Sequence, residues 1–200
     1  MFVDIFNTDK KYQIIYADPP WKYNDKMTMT GIHGAIKGAE QFYNTMSNED
    51  IKNLPVSKIA NKDCILFVWV TMPFLNEVFE LIKSWGFKYK TCAFCWVKTT
   101  KNGKIHHGMG HYTRGNAELC LIATKGKSFR RLNNSVSQII LSMIQQHSKK
   151  PDVIRDKILE LYGPLPRIEL FARQVVDGWD CWGNEVEEKK QVDIDDLMEA

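Results

Sequence analysis

Tyr12-Gln13-Ile14-Ile15-Tyr16-Ala17-Asp18-Pro19-Pro20-Trp21 is the stretch from which the fold of this chain can be read. Two isoleucines and two tyrosines within its first five residues have the composition of a buried strand. The Pro-Pro pair cannot continue a hydrogen-bonded ladder, so the strand ends near Asp18. A carboxylate at the carboxyl end of a strand stands where open α/β sheets bind ligands. The prolines remove N–H donors and leave rigid carbonyl acceptors, and Trp21 offers a broad flat face. Such a set suits a planar substrate with an exocyclic amine, and adenine is one. The lone pair of that amine is delocalised into the ring. Accepting its two hydrogens at Asp18 and at the Pro19 carbonyl favours the pyramidal, nucleophilic form, which is stabilisation aimed at the transition state. On its own the tetrapeptide also reads as a plain turn after a strand.

Outward from this point, residues 22–45 contain Gly31, Gly34 and Gly38 and no apolar period, which predicts a long loop of the kind that binds or covers a ligand. Ser47 reads as the N-cap of a helix with acids in its first turn. Residues 64–70 form a near-continuous apolar run, a central strand buried on both faces. The spacing of Phe74, Val78, Leu81, Ile82 and Trp85 predicts an amphipathic helix closed by Gly86. Residues 87–98 read as a strand, 102–115 as a polar loop, and 117–125 as another strand. Residues 126–134 are basic and irregular. Periodicity leaves 135–146 open between helix and interrupted strand. Residues 151–162 read as a helix, 167–172 as a strand, and 178–183 as a closing turn or short strand. Strands alternating with helices predict an α/β fold with a mostly parallel sheet.

The 200 residues suit one domain, and 44% apolar with 26% charged residues is ordinary for a globular protein. No run is apolar enough to span a membrane, and the start does not resemble a signal peptide. The odd count of five cysteines fits reduced thiols and a cytoplasmic setting. The net charge of +3 conceals an asymmetry. Residues 185–200 hold seven acids and two lysines, leaving 25 of the 27 bases and 17 of the 24 acids in the remainder. A body this basic suits a phosphate backbone.

Cys92 and Cys95 have metal-like spacing, but residues three apart on a strand face opposite ways and no second close pair follows, so no metal is expected. Gly108-Met109-Gly110 lacks the βαβ context of a dinucleotide fingerprint. Lys149-Lys150-Pro151 puts cations at a helix start, where an anion would be favoured. Arg173 follows a strand at its ligand end, and Asn184-Glu185 could hold sugar hydroxyls. Together these residues suggest a pocket for a molecule with a carboxylate and a ribose.

At this point the chain resembles the MT-A (seventy-kilodalton subunit) family of S-adenosylmethionine-dependent N6-adenine methyltransferases. The similarity runs from about Tyr12 to Glu185 through ADPPW, YNTMSNEDIKNLPV, ILFVWVT, WVKT, GHYTRGNAELCLIATKG, KKPDVI, RIELFAR and WGNE. The resemblance implies a Rossmann-like class I methyltransferase fold, helices on both faces, in circularly permuted motif order. Residues 1–185 would be the methyltransferase domain and 186–200 an acidic tail. It also implies S-adenosyl-L-methionine as cofactor. The catalytic segment would be Asp18, Pro19, Pro20 and Trp21. Cofactor contacts would come from Asp4, Ile5, Asp18, Lys150, Phe171, Arg173, Asn184 and Glu185. Substrate contacts are expected from Tyr23, Tyr43, Lys98, His111 and Arg114, with Arg114, Arg130 and Arg131 for phosphates. The eukaryotic RNA enzyme carries a His where this chain has Val175, and its zinc fingers and partner subunit have no counterpart here. Compact prokaryotic or phage members match better, so the expected substrate is DNA rather than RNA, with a homodimer as one way to hold it. The alternatives are an RNA N6-adenosine methyltransferase, an N4-cytosine DNA methyltransferase, and a catalytically silent nucleic-acid-binding subunit.

Overall fold

The computed structural model describes residues 1–21, 46–108, 110, 112–145 and 149–186. Among them, strands β1 (Tyr12–Ala17), β2 (Ala60–Val70), β3 (Lys88–Thr99), β4 (Ala117–Lys125), β5 (Ile139–Met143), β6 (Arg167–Leu170) and β7 (Asp180–Trp182) form one sheet in the order β5-β3-β4-β2-β1-β6-β7. The helices are α1 (Asn48–Lys52), α2 (Val56–Ile59), α3 (Leu75–Ser84) and α4 (Val153–Tyr162).

β1 lies parallel to β2 and β6, β6 to β7, and β3 to β5, while β4 runs antiparallel to both its neighbours. The sheet is therefore mostly parallel with one reversed strand. The reversal follows from the connection: residues 100–116 are polar and no crossover helix occurs among those described, so the chain turns back beside β3 instead of crossing the sheet.

β2 shows how the sequence fills two cores. Cys64, Leu66, Val68 and Val70 point to one face, and Ile65, Phe67 and Trp69 to the other. Helices α1, α2 and α3 cover the first face through Ile51, Val56, Ile59, Val78, Leu81 and Ile82. α4 covers the second through Ile154, Ile158 and Leu161. Each such side chain contributes about 1.5–3 kcal/mol on full burial. Trp85, fully buried, ties α3 to α1 by donating its indole N–H to the Ile51 carbonyl at 3.0 Å. Ser47 caps α1 as its sequence position implied, accepting from the Asp50 N–H at 3.1 Å.

Residues 135–146, which periodicity could not assign, supply the edge strand β5, with Ile140 inward and Ile139, Leu141 and Met143 exposed. α4 begins at Val153, two residues past the expected proline start. That leaves Lys149 and Lys150 on the segment leading into the helix. Because β1, β2, β3, β6 and β7 run the same way, their carboxyl ends share one edge of the sheet. The segments after them, the start of β4 and the start of α4 gather there.

Residues 126–134 go to the opposite edge. The Lys127 N–H donates to Asp63 at the start of β2, and the Leu132 N–H to the Leu161 carbonyl at the end of α4. Arg130 and Arg131 therefore sit toward the opposite edge from Asp18. Sequence position alone could not reveal this, because it required knowing that β4 runs backwards.

Candidate active site

Asp18 leaves β1 at the carboxyl edge, its N–H directed to the Leu170 carbonyl of β6 at 3.5 Å. Its carboxylate is 28% exposed. The Trp21 N–H donates to the Pro19 carbonyl at 2.9 Å, closing a tight three-residue turn around Pro20. That bond uses one lone pair of the Pro19 oxygen and leaves a second as acceptor. Trp21 differs from expectation. It is only 7% exposed, stacks on Phe74 with ring centroids 5.4 Å apart, and directs its indole N–H to the Trp69 carbonyl. Its ring pins the turn to the core and offers little open face, while Pro20 is half-buried.

Lys150 reaches this carboxylate from the segment before α4. Its Nζ lies 2.9 Å from Asp18 Oδ1 and 2.9 Å from Oδ2. It also lies 3.2 Å from Glu118 Oε2 and 5.7 Å from the centre of the Trp69 ring. The other oxygen of Glu118 accepts from Lys98 at 2.5 Å, and Lys98 sits over Trp96. A string of alternating charge, Lys98–Glu118–Lys150–Asp18, thus crosses from β3 through β4 and the α4 segment to β1. Burial pushes the Asp18 carboxyl above the usual carboxylate value, Lys150 pulls it back in part, and Glu118 adds repulsion. Burial would also raise Glu118, but Lys150 and Lys98 outweigh it and hold that carboxyl below its usual value. For Lys150, burial disfavours the ammonium, yet the Asp18 and Glu118 carboxylates prevail and raise it.

The second half of the site follows β6. Phe171 adopts φ 60°, a left-handed conformation that a non-glycine residue takes only under constraint. The bend carries Arg173 back along the edge, where its Nε donates to Glu185 Oε1 at 2.7 Å. The Phe171 ring meets Trp182 edge-on, and Phe6 also meets Trp182 edge-on, bringing the 4–6 segment to the same end. Asp4 accepts from the Phe6 N–H and the Asn7 amide, and Ile5 is buried in the core. Gly183 makes the closure possible: a Cβ there would fall 2.5 Å from the Ala172 carbonyl oxygen. Asn184 and Glu185 follow directly. Asp18, Lys150, Phe171, Arg173, Asn184, Glu185, Asp4 and Ile5 therefore share one sheet edge.

Lys98 is engaged with Glu118, and Arg114 is exposed on the loop after β3 at the same edge. Tyr23, Tyr43 and His111 lie outside the described residues. Gly108 and Gly110 serve close backbone packing in this loop, since a Cβ on either would meet the Gly115 or Thr113 carbonyl oxygen. No group of three metal-binding side chains occurs among the described residues. A surface pocket of about 570 Å3, lined by Lys10, Lys11, Arg167, Trp179 and Asp180, opens at the amino ends of β1, β6 and β7, away from Asp18.

Comparison with known proteins gives the chain's family. The family model MT-A70 matches residues 12–185. The chain belongs to the MT-A70 family. It is 39% identical over 193 residues to the type II methyltransferase M.MunI of a Mycoplasma species, covering 90% of this chain and 80% of that protein. It is 30% identical over 215 residues to the mouse N(6)-adenine-specific methyltransferase METTL4, covering 98% of this chain. It is 27% identical over 181 residues to human METTL3, an N(6)-adenosine-methyltransferase catalytic subunit. The chain spans only 42% of the mouse protein and 28% of the human one. The sheet is accordingly the Rossmann-like fold of class I methyltransferases, and the chain is an MT-A70 methyltransferase.

Three residues of this MT-A70 chain's site were not singled out from sequence: Glu118, Asp152 and Arg155. Asp152 accepts from Lys149 at 2.8 Å, Arg155 at 2.9 Å and Gln174 at 3.2 Å. Arg155 also grips Glu169 of β6 through two bonds of 2.7 and 2.8 Å. This network joins the segments that bear Lys150 and Arg173. The only available signal was an acid at a core position of β4, and it becomes legible once Lys98 and Lys150 are known to converge on it.

Proposed function

We propose that this chain transfers a methyl group from S-adenosylmethionine to the N6 amine of adenine in DNA. The observation that carries the proposal is the partly exposed Asp18 carboxylate beside the Pro19 carbonyl, on the same edge as Lys150, Arg173 and Glu185. The donor set fits the cofactor. Lys150 and Arg173 supply cations for a carboxylate, and Asn184 and Glu185 supply polar groups for ribose hydroxyls. The tight backbone approach at Gly183, where a Cβ would meet Ala172 and Phe171, fixes the turn that carries Asn184 and Glu185. Phe171, with Asp4 and Ile5, would flank the cofactor's adenine.

When bound, S-adenosylmethionine supplies an electrophilic methyl on a positively charged sulfur. Asp18 and the Pro19 oxygen accept the two N–H hydrogens of the target, localise its lone pair and hold it in line, an arrangement that lowers the barrier by orientation and by preorganised charge. The amine then sheds one proton, for which the Asp18 carboxylate is the adjacent acceptor. A target in a duplex must leave the base stack to reach this edge. Arg114 and, in the proposal, Tyr23, Tyr43, Lys98 and His111 would contact the nucleic acid. The 1–185 segment would be the catalytic domain, 186–200 an acidic tail, the setting cytoplasmic, and a homodimer the assembly that grips DNA.

No helix of the described residues is long and apolar enough to cross a membrane. Sequencing of modified bases in DNA from cells expressing the chain tests the proposal. N6-methyladenine at a defined motif supports it, whereas N4-methylcytosine or unmodified DNA refutes it.

A further inference from the structure

The geometry points to Lys150 as a switch: its pairing with Asp18 weakens that carboxylate as an acceptor, and a cofactor carboxylate draws the ammonium toward itself so that Asp18 can receive the target amine. This rests on the cofactor and substrate assignments above. Both oxygens of Asp18 lie 2.9 Å from the Lys150 ammonium, so the acceptor on which methylation depends is engaged by a cation. A carboxylate held by an ammonium on both oxygens is a poorer acceptor for a neutral aromatic amine, since the charged donor makes the stronger bond.

Glu118 gives the switch its pivot. Its Oε2 is 3.2 Å from Lys150 Nζ and its Oε1 is fixed by Lys98, so Lys150 can release Asp18 while keeping a buried counter-charge. A buried ammonium that lost all its partners would be costly, whereas one handed from Asp18 to an incoming carboxylate against a fixed Glu118 stays compensated throughout. The same arrangement keeps nucleic acid from seating a base productively before the cofactor has bound. Cofactor and target base are then positively coupled, and the coupling must be reciprocal.

The test measures binding by fluorescence anisotropy of a labelled random-sequence single-stranded DNA pool. It is run alone, with saturating S-adenosylhomocysteine, which bears the carboxylate, and with methylthioadenosine, which lacks it; calorimetry verifies occupancy. The switch predicts at least about fivefold tighter DNA binding with S-adenosylhomocysteine, the lower end of typical coupling. It also predicts no tightening with methylthioadenosine, and in Lys150→Met a DNA affinity that no longer responds to S-adenosylhomocysteine. Equal DNA affinity with and without bound S-adenosylhomocysteine, or equal tightening by methylthioadenosine, overturns the switch, and neither result depends on a variant folding. Tightening on a pool made without adenine supports the switch but overturns adenine as target. Failure of S-adenosylhomocysteine to bind overturns the cofactor assignment and the switch with it.

Discussion

Lys150 and Asp18, 132 residues apart in the chain, meet with the lysine nitrogen 2.9 Å from the carboxylate. The pair joins the start of α4 to the end of β1 at the centre of the carboxyl edge. Replacing Lys150 by methionine removes a charged hydrogen-bond donor, an effect of about 1.5–3 kcal/mol. Calorimetry with S-adenosylhomocysteine should therefore show affinity falling by roughly ten- to a hundredfold. An unchanged affinity would mean that the cofactor carboxylate binds elsewhere.

Glu118 offers a test through pH. Asp18 works as an acceptor only when ionised, so activity must fall as pH drops through its pKa. Burial raises that pKa above the usual carboxylate value, and repulsion from Glu118 adds to the rise. Removing the Glu118 charge in Glu118→Gln makes ionisation of Asp18 easier, so the acid limb of kcat/KM for DNA should move to lower pH. A shift to higher pH, or none, would separate Glu118 from Asp18 electrostatically.

Gly183 tests the closure of the second half of the site. A methyl group there collides with the backbone of Phe171 and Ala172, all within 3 Å. Relief of such overpacking costs about 1–3 kcal/mol and has to displace Asn184 and Glu185. Gly183→Ala should raise KM for S-adenosylmethionine severalfold with a smaller change in kcat, measured at saturating DNA. Wild-type kinetics would show that the 184–185 segment does not hold the cofactor.

The Arg155–Glu169 pair is a matter of stability. Both side chains are 11% exposed and doubly bonded. Removing one partner strands a buried charge, a loss of about 3–5 kcal/mol. Arg155→Met should lower the urea midpoint accordingly, while Lys157→Met, on the same helix and paired with Glu160, should lie within about 0.5 kcal/mol of wild type.

Much of this was legible in the chain. The apolar run before Asp18, the unbroken run 64–70 and the helix carrying Leu81 and Trp85 obey simple periodicities, and each forms the expected element. What stayed hidden depends on contacts between distant segments. The polar loop after β3 gave no sign that β4 would reverse, a reversal that carries Arg130 and Arg131 to the edge away from Asp18. Trp21 looked like an open stacking surface because nothing local predicts that Phe74 lies against it. Glu118 was invisible in a strand of buried apolar residues, although an acid there calls for cations, and Lys98 and Lys150 supply them.

The central claim is that Asp18 makes the target amine reactive. Label transfer from S-[methyl-3H]adenosylmethionine to DNA, followed by nucleoside separation, tests it most directly when wild type and Asp18→Ala are compared at saturating cofactor. The account predicts tritium in N6-methyl-2′-deoxyadenosine from the wild type and its loss, by at least about a hundredfold, from a variant that still binds S-adenosylhomocysteine. Substantial transfer by Asp18→Ala, or label in any other nucleoside, would contradict it.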